Sequence, residues 1–388
     1  MFGFLPGRIA NRNQWIAAAT SCVVIAAAAA MVAANSGYAC ADEAAGLEKK
    51  LTEKLQAMQC PGALVGIFPD EGEPRRFVLG VADVDTKTPM TADVHMRVGS
   101  VFKPILGTVV LQLYDEGKLS LDDPVSKYVP DVPNGDKITL RMLGKNTSGL
   151  FNSIENKELQ YAIMKDPTKQ WTPAEILAFN AGREPYCQPG EKWRYSNTNA
   201  VLLGLCIEKA TGRTFAEEIE ERICKPLRLT ETGVPKVAEL PLPRTAAYRN
   251  GYPDKVIGYG NVFYNVSNYS AAWTGAAGNL YSTLDDLGKA AKPIATGVLL
   301  KEAGREELHD WIATGHEGVE YGYFLYRKNG GIGHTGDVPG FNAVMMYYPE
   351  QKAAIVVLTN LSNNADGTMP AEELAKLVAE NIKAKGSR

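Results

Sequence analysis

The spacing of hydrophobic positions changes along this chain, and each change marks a new element. Residues 43–59 (EAAGLEKKLTEKLQAMQ) carry apolar side chains at helical intervals and close on Cys60-Pro61-Gly62. Ala63 to Phe68 and Arg76 to Val84 read as two strands around the turn Pro69-Asp70-Glu71-Gly72. A helical pattern opens at Ser100 and runs through Leu113 to Gly117, and short helices with polar turns fill residues 118–230. Residues 226–270 hold five prolines and five tyrosines without a period, the pattern of long loops. Gly322 to Arg327, Gly331 to Gly336, Phe341 to Tyr348 and Ala353 to Thr359 are short apolar or alternating runs between Gly, Pro and Asp turns, as in an antiparallel meander. An amphipathic helix, Pro370 to Lys383, ends the pattern. Strands at both ends and helices between them predict an α+β fold. In it an antiparallel sheet is flanked by N- and C-terminal helices (residues 42–117 and 271–388) and carries an inserted, mostly helical subdomain (residues 118–270).

Composition narrows the function classes. Of 388 residues 45 % are apolar and 22 % charged, so the chain is globular rather than disordered or fibrous. A net charge of −3 excludes the basic footprint of a nucleic-acid binder. The four histidines, His95, His309, His316 and His334, form no His-Glu-x-x-His pattern, and neither a metal nor another cofactor is expected.

Arg8 and Arg12 precede an apolar stretch from Trp15 to Ala41 that ends in Ala39-Cys40-Ala41. A positive start, an apolar run and a small-x-small end describe a secretory signal over residues 1–41. An uncleaved anchor is the rival reading, and only that reading would attach the protein to a membrane. Either way the working domain is expected outside the cytoplasm, in the periplasm or the medium. Beyond the leader lie Cys60, Cys187, Cys206 and Cys224, whose pairing the sequence leaves open; Cys206, inside an apolar run, reads as a buried thiol.

Three short motifs carry chemistry. Ser100-Val101-Phe102-Lys103 opens a helix, where positions i and i+3 share a face and bring the lysine amine to the serine hydroxyl. Serine needs a base, and lysine can serve only if burial or neighbouring charge depresses its pKa. Taken alone, this motif reads better as a capping serine beside a surface lysine. Tyr195-Ser196-Asn197 could relay a proton and orient a lysine or an amide. The same spacing recurs at Tyr248-Arg249-Asn250 and Tyr259-Gly260-Asn261, but only Tyr195 sits between a Pro-Gly turn and an apolar helix. His334-Thr335-Gly336 ends a glycine-rich run on which a backbone or ligand can approach closely.

In this order, and with the surrounding RVGSVFK (97–103), NTSGL (146–150), PGEKWRYSNTN (189–199) and GHTGDVPGF (333–341), the chain resembles the penicillin-recognising serine hydrolases. It is most similar to the branch of class C β-lactamases and low-molecular-mass D-alanyl-D-alanine carboxypeptidases. The resemblance implies an acyl-enzyme on Ser100, with Lys103 or Tyr195 as base and Tyr195 passing the proton to the leaving group. It implies that Asn197 holds Lys103 and the substrate amide, and that His334 polarises Tyr195 across the cleft. Beside Thr335 and Gly336, the backbone N–H groups of Ser100 and Asp337 would form the oxyanion hole. Trp273 matches an aromatic near the site, or is equally a core residue.

Two positions depart from the family pattern. Asp337 stands where the carboxypeptidases carry a hydroxyl, and a second carboxylate about 4 Å away would be repelled by roughly 4 kcal/mol at an effective dielectric of about 20. The family's carboxylate-binding arginine falls at Tyr326, with Arg327 one residue later and so on the opposite face of a strand. The leading expectation is an exported D-alanyl-D-alanine carboxypeptidase acting on peptidoglycan peptides. The alternatives are an esterase or D-amino-acid peptidase, a β-lactamase, and a catalytically silent binding scaffold. The expected partner is a small peptide, ester or β-lactam.

Overall fold

The computed structural model describes residues 44–251 and 262–386. The leader over residues 1–41 and the Tyr259-Gly260-Asn261 pattern lie outside the described residues. Residues from Thr52 onward form one compact unit. A first helix, α1, covers residues 44–57. Within the unit, Lys54 Nζ on its second half donates to Glu373 Oε2 at 2.6 Å.

The scaffold is an antiparallel sheet of nine strands. In chain order they are β1 (Gly62–Pro69), β2 (Arg75–Asp83), β3 (Thr88–Pro89), β4 (Ile312–Ala313), β5 (Val319–Tyr321), β6 (Tyr326–Lys328), β7 (Gly331–Val338), β8 (Phe341–Tyr348) and β9 (Ala353–Thr359). The spatial order is β3-β2-β1-β9-β8-β7-β6-β5-β4, so β1 and β9, from opposite ends of the chain, zip the two runs together from Ala63↔Thr359 to Pro69↔Ala353. The β7–β8 register closes at Val338↔Phe341, leaving Pro339-Gly340 as the turn; Gly340 has φ +92, the positive φ a tight proline-glycine turn requires. Helices cover both faces, which is why β8 and β9 are buried at every position and read as unbroken apolar runs.

Two helices pack on the centre of the sheet, α4 (Leu284–Thr296) and α5 (Pro370–Gly386), and two more build the site. Helix α2 (Phe102–Asp115) is buried nearly all round, as a central core helix must be. Helix α3 (Asn197–Thr211) ends at Gly212, φ +73. Residues of segment 118–270, among them Leu140, Leu143, Leu203 and Ile207, share one hydrophobic core with Val356 and Leu358 of the sheet.

One strand expectation needs correction. The apolar run Gly322 to Arg327 is not a single strand: Gly322–Leu325 make a turn, closed by Gly322 N–H donating to Leu325 O at 2.8 Å. The turn carries Phe324 at φ +55, and Tyr321 pairs with Tyr326 across it. Its side chains are apolar because the turn is buried, Tyr323, Phe324 and Leu325 all being inside. The four cysteines beyond the leader are all free, with Cys60, Cys206 and Cys224 buried.

Candidate active site

Ser100 lies in a single 3₁₀ turn, Gly99–Val101, that feeds directly into α2. Two glycines let this turn touch β7. Gly99 sits at φ +53, and a Cβ there would stand 2.7 Å from the Asp337 nitrogen; a Cβ at Gly336 would stand 2.9 Å from the Ser100 nitrogen. The close approach brings the backbone nitrogens of Ser100 and Asp337 to one end of one cavity.

Lys103 follows one turn later and is 0 % exposed, which removes the surface-lysine reading of the first motif. Its Nζ has three partners at 2.8 Å each: Ser100 Oγ, Asn197 Oδ1 and the carbonyl of Ala277. Burial pushes its pKa well below that of an ordinary lysine. A neutral amine has two N–H bonds and one lone pair. Asn197 and Ala277 offer only acceptors on the lysine side, so the lone pair is left for the Ser100 hydroxyl.

Tyr195 donates its hydroxyl to Ser100 Oγ at 3.0 Å, and Lys103 Nζ lies 5.1 Å from the centre of its ring. Burial raises the phenol far above its ordinary range, so it keeps its proton. The loop that carries Tyr195 is tied down by asparagines. Asn146 Oδ1 accepts from Ser196 N–H at 3.1 Å and from Asn199 Nδ2 at 2.7 Å. Asn152 Oδ1 accepts from both the backbone N–H and Nδ2 of Asn197, at 3.1 and 3.3 Å. Because Asn197 donates its NH₂ to Asn152, its oxygen must face Lys103.

His334 is buried on β7, and burial first, then the Lys103 charge, lowers its pKa to about 3. Its Nδ1 donates to the Thr335 carbonyl at 2.5 Å, which makes Nε2 the acceptor, 3.4 Å from the Tyr321 hydroxyl. The rings of His334 and Tyr195 are 6.2 Å apart, with no hydrogen bond between them. The direct polarisation of Tyr195 by His334 implied by the resemblance is therefore absent from this geometry.

Ser100, Tyr195, Asn197, His334, Thr335, Gly336, Asp337 and Trp273 all line one cavity of about 260 Å³. Trp273 is at once wall and core: it is 4 % exposed, packs with Leu159, Ile163 and Trp171, and its indole N–H meets no acceptor. Tyr326 faces the cavity, whereas Arg327 turns away to pair with Glu320 at 2.5 Å and lies over Trp311. Sequence reasoning missed Asn152, the Ala277 carbonyl, Tyr321 and Glu372, which lines the same cavity from the first turn of α5. Among the described residues no group of His, Cys, Asp and Glu side chains could hold a metal ion.

Comparison with known proteins agrees with this geometry. The profile of the Beta-lactamase family matches residues 47–380. The chain belongs to the Beta-lactamase family. It is similar to a Bacillus subtilis (strain 168) protein, PbpX, named as a penicillin-binding protein, at 30 % identity over 69 % of this chain and 62 % of that protein. The chain spans less than two thirds of the length of the curated relatives it matches. Among solved structures it is similar to a D-stereospecific amidohydrolase from Streptomyces sp., with 28 % identity and TM-score 0.75, covering 85 % of this chain and 97 % of the other. The fold also matches D-amino acid amidase from Ochrobactrum anthropi SV3 in complex with D-phenylalanine, with TM-score 0.78 at 24 % identity, over 88 % of this chain and 99 % of the other. Within the family these are α+β folds with an antiparallel sheet and a helical region, as here.

Proposed function

We propose that the protein is a serine hydrolase that forms an acyl-enzyme on Ser100 and acts on amides or esters of D-amino acids. The observation that carries the reading is the contact of the buried Lys103 amine, whose pKa burial lowers, with Ser100 Oγ at 2.8 Å. Lys103 rather than Tyr195 is the base, because burial favours the uncharged form of each group, which is the free amine for the lysine and the protonated phenol for the tyrosine. The Ser100 proton passes to Lys103 Nζ as Oγ bonds to the substrate carbonyl carbon. The oxyanion is met by the N–H groups of Ser100 and Asp337. Tyr195 then hands its phenolic proton to the departing amine or alkoxide and takes back the proton that Lys103 received from Ser100. Water completes the cycle by the reverse path.

The leaving-group preference follows from charge. A substrate ending in a free carboxylate needs a cation, and the cavity lining offers Tyr326 and Asp337 in the relevant places. This favours an amide or ester over a D-alanyl-D-alanine terminus, and the likeness to a D-stereospecific amidohydrolase supports the same choice. The second reading, a carboxypeptidase on peptidoglycan peptides, is favoured by the likeness to a penicillin-binding relative. Export directed by residues 1–41 belongs to both proposals.

The test is intact mass of the protein after mixing with benzylpenicillin and, separately, with an activated ester, beside Ser100→Ala. An adduct on the parent alone supports acylation at Ser100, and its absence with both donors overturns it. Release of D-alanine from a muramyl pentapeptide, with no turnover of D-amino-acid amides, would select the second reading.

A further inference from the structure

We propose that the catalytic cavity selects substrates carrying a cationic amine, seated between the carboxylates of Asp337 and Glu372. The proposal rests on the acyl-enzyme reading above and names the substrate class of that cavity. The two acids come from different elements brought together by Asn342. This residue pairs with Asp337 across β7 and β8, and its Oδ1 accepts from Ala371 N–H at 2.8 Å, which fixes the start of α5 and hence Glu372 beside the cleft. Both carboxylates line the cavity, and neither makes a hydrogen bond or ion pair among the described residues. The buried acid Asp286 differs: it receives Glu231 N–H, Thr232 Oγ1 and Lys289 Nζ.

The charges around the pair are few. Among the described residues the lining contains no lysine or arginine, and burial lowers the pKa of Lys103 beneath it. Lys328 and Lys376 face the adjoining groove on the far side of Glu372 rather than the cavity. Arg249 is buried, and its charge draws the Asp337 pKa down. Two carboxylates on the lining of one cleft repel, and a bound ammonium relieves that repulsion. An anionic substrate adds to it. Trp273 forms part of the wall, and its buried indole N–H has no acceptor.

The test compares charge at constant shape. D-alanine para-nitroanilide, its N-acetyl form and its N-succinyl form place a positive, neutral and negative group on the acyl side; para-(aminomethyl)phenyl acetate and para-tolyl acetate give a positive and a neutral leaving group. In at least one series the cationic member is expected to have kcat/KM about tenfold above its neutral partner, the size of one charge-assisted contact in a partly solvated cleft. That ratio should fall toward one in Asp337→Asn and in Glu372→Gln, and a ratio within each variant cancels any loss of folded protein. No cationic preference in either series, or one that both variants retain, overturns the proposal. An acetyl adduct from para-tolyl acetate on the parent but not on Ser100→Ala keeps the acyl-enzyme reading standing even then. Absence of that adduct would remove the reading itself.

Discussion

Gly336 and Ser100 meet through their backbones: a Cβ atom at position 336 would stand 2.9 Å from the Ser100 nitrogen and would overlap the Val98 carbonyl oxygen. The overlapped atom is backbone, so an added methyl cannot be accommodated by a rotamer change, and β7 must move away from the nucleophile turn. In Gly336→Ala that movement separates the two nitrogens offered to the oxyanion. We expect kcat to fall by about 10²–10³, the usual effect of losing one such donor. Thermal denaturation followed beside single-turnover acylation checks this. Full acylation at the parental rate would show that the close approach is not needed.

Lys103 sets the acid side of the pH profile. Its pKa is lowered by burial, so the amine is neutral across a range where an exposed lysine is charged. The base form is the active one. Acylation is therefore expected to rise with pH through this depressed pKa and to be complete well below the value of about 10.4 typical of lysine. A profile that still climbs steeply near that value would contradict the assignment. Lys103→Met should lower the acylation rate by about 10²–10⁴, the range a general base supplies.

The sheet and the contact of Ser100 with Lys103 were legible in the sequence for local reasons. Pro339-Gly340 and the i, i+3 spacing of Ser100 and Lys103 are signals within four residues of chain, and the structure contains both. The groups that tune the site are not local. Asn152 reaches Asn197 from 45 residues away, and Ala277 contributes a backbone oxygen that any residue type would supply. Glu372 enters only because α5 is pinned to β8 by Asn342, a contact between side chain and backbone with no periodic signature. The buried turn at Gly322–Leu325 was hidden for the opposite reason: its apolar side chains look like a strand because the protein encloses them.

Asn152 is a positioning residue for Asn197. Without its Oδ1 the Asn197 amide loses the acceptor that fixes which way its oxygen points, and Lys103 loses a dependable partner. Asn152→Leu is expected to reduce kcat/KM by about tenfold or more, from one unmade buried hydrogen bond. A second variant separates positioning from mere structure. Asn152→Asp places a negative charge near Lys103, favours its protonated form, and should move the acid limb of the profile to higher pH. An unchanged limb in that variant would show that Asn152 does not communicate with the base.

Asp337 supplies the last prediction. Protein walls surround the carboxyl although solvent reaches it through the cleft mouth, and burial, with Glu372 adding to it, raises its pKa to about 7 against the opposing pull of Arg249. Below that pH the carboxyl is protonated and uncharged; above it the group is an anion. Preference for the cationic member of each substrate pair should therefore be weak near pH 5, strengthen as pH rises through about 7, and level off beyond. The neighbouring His334 is already neutral in this interval, its pKa held at about 3, and does not contribute to the change. Asp337→Asn should flatten the dependence and leave only what Glu372 provides. Measuring the kcat/KM ratio of the paired substrates from pH 5 to pH 9 checks the sign. A preference that declines with rising pH, while the amine remains protonated, would place the recognition elsewhere.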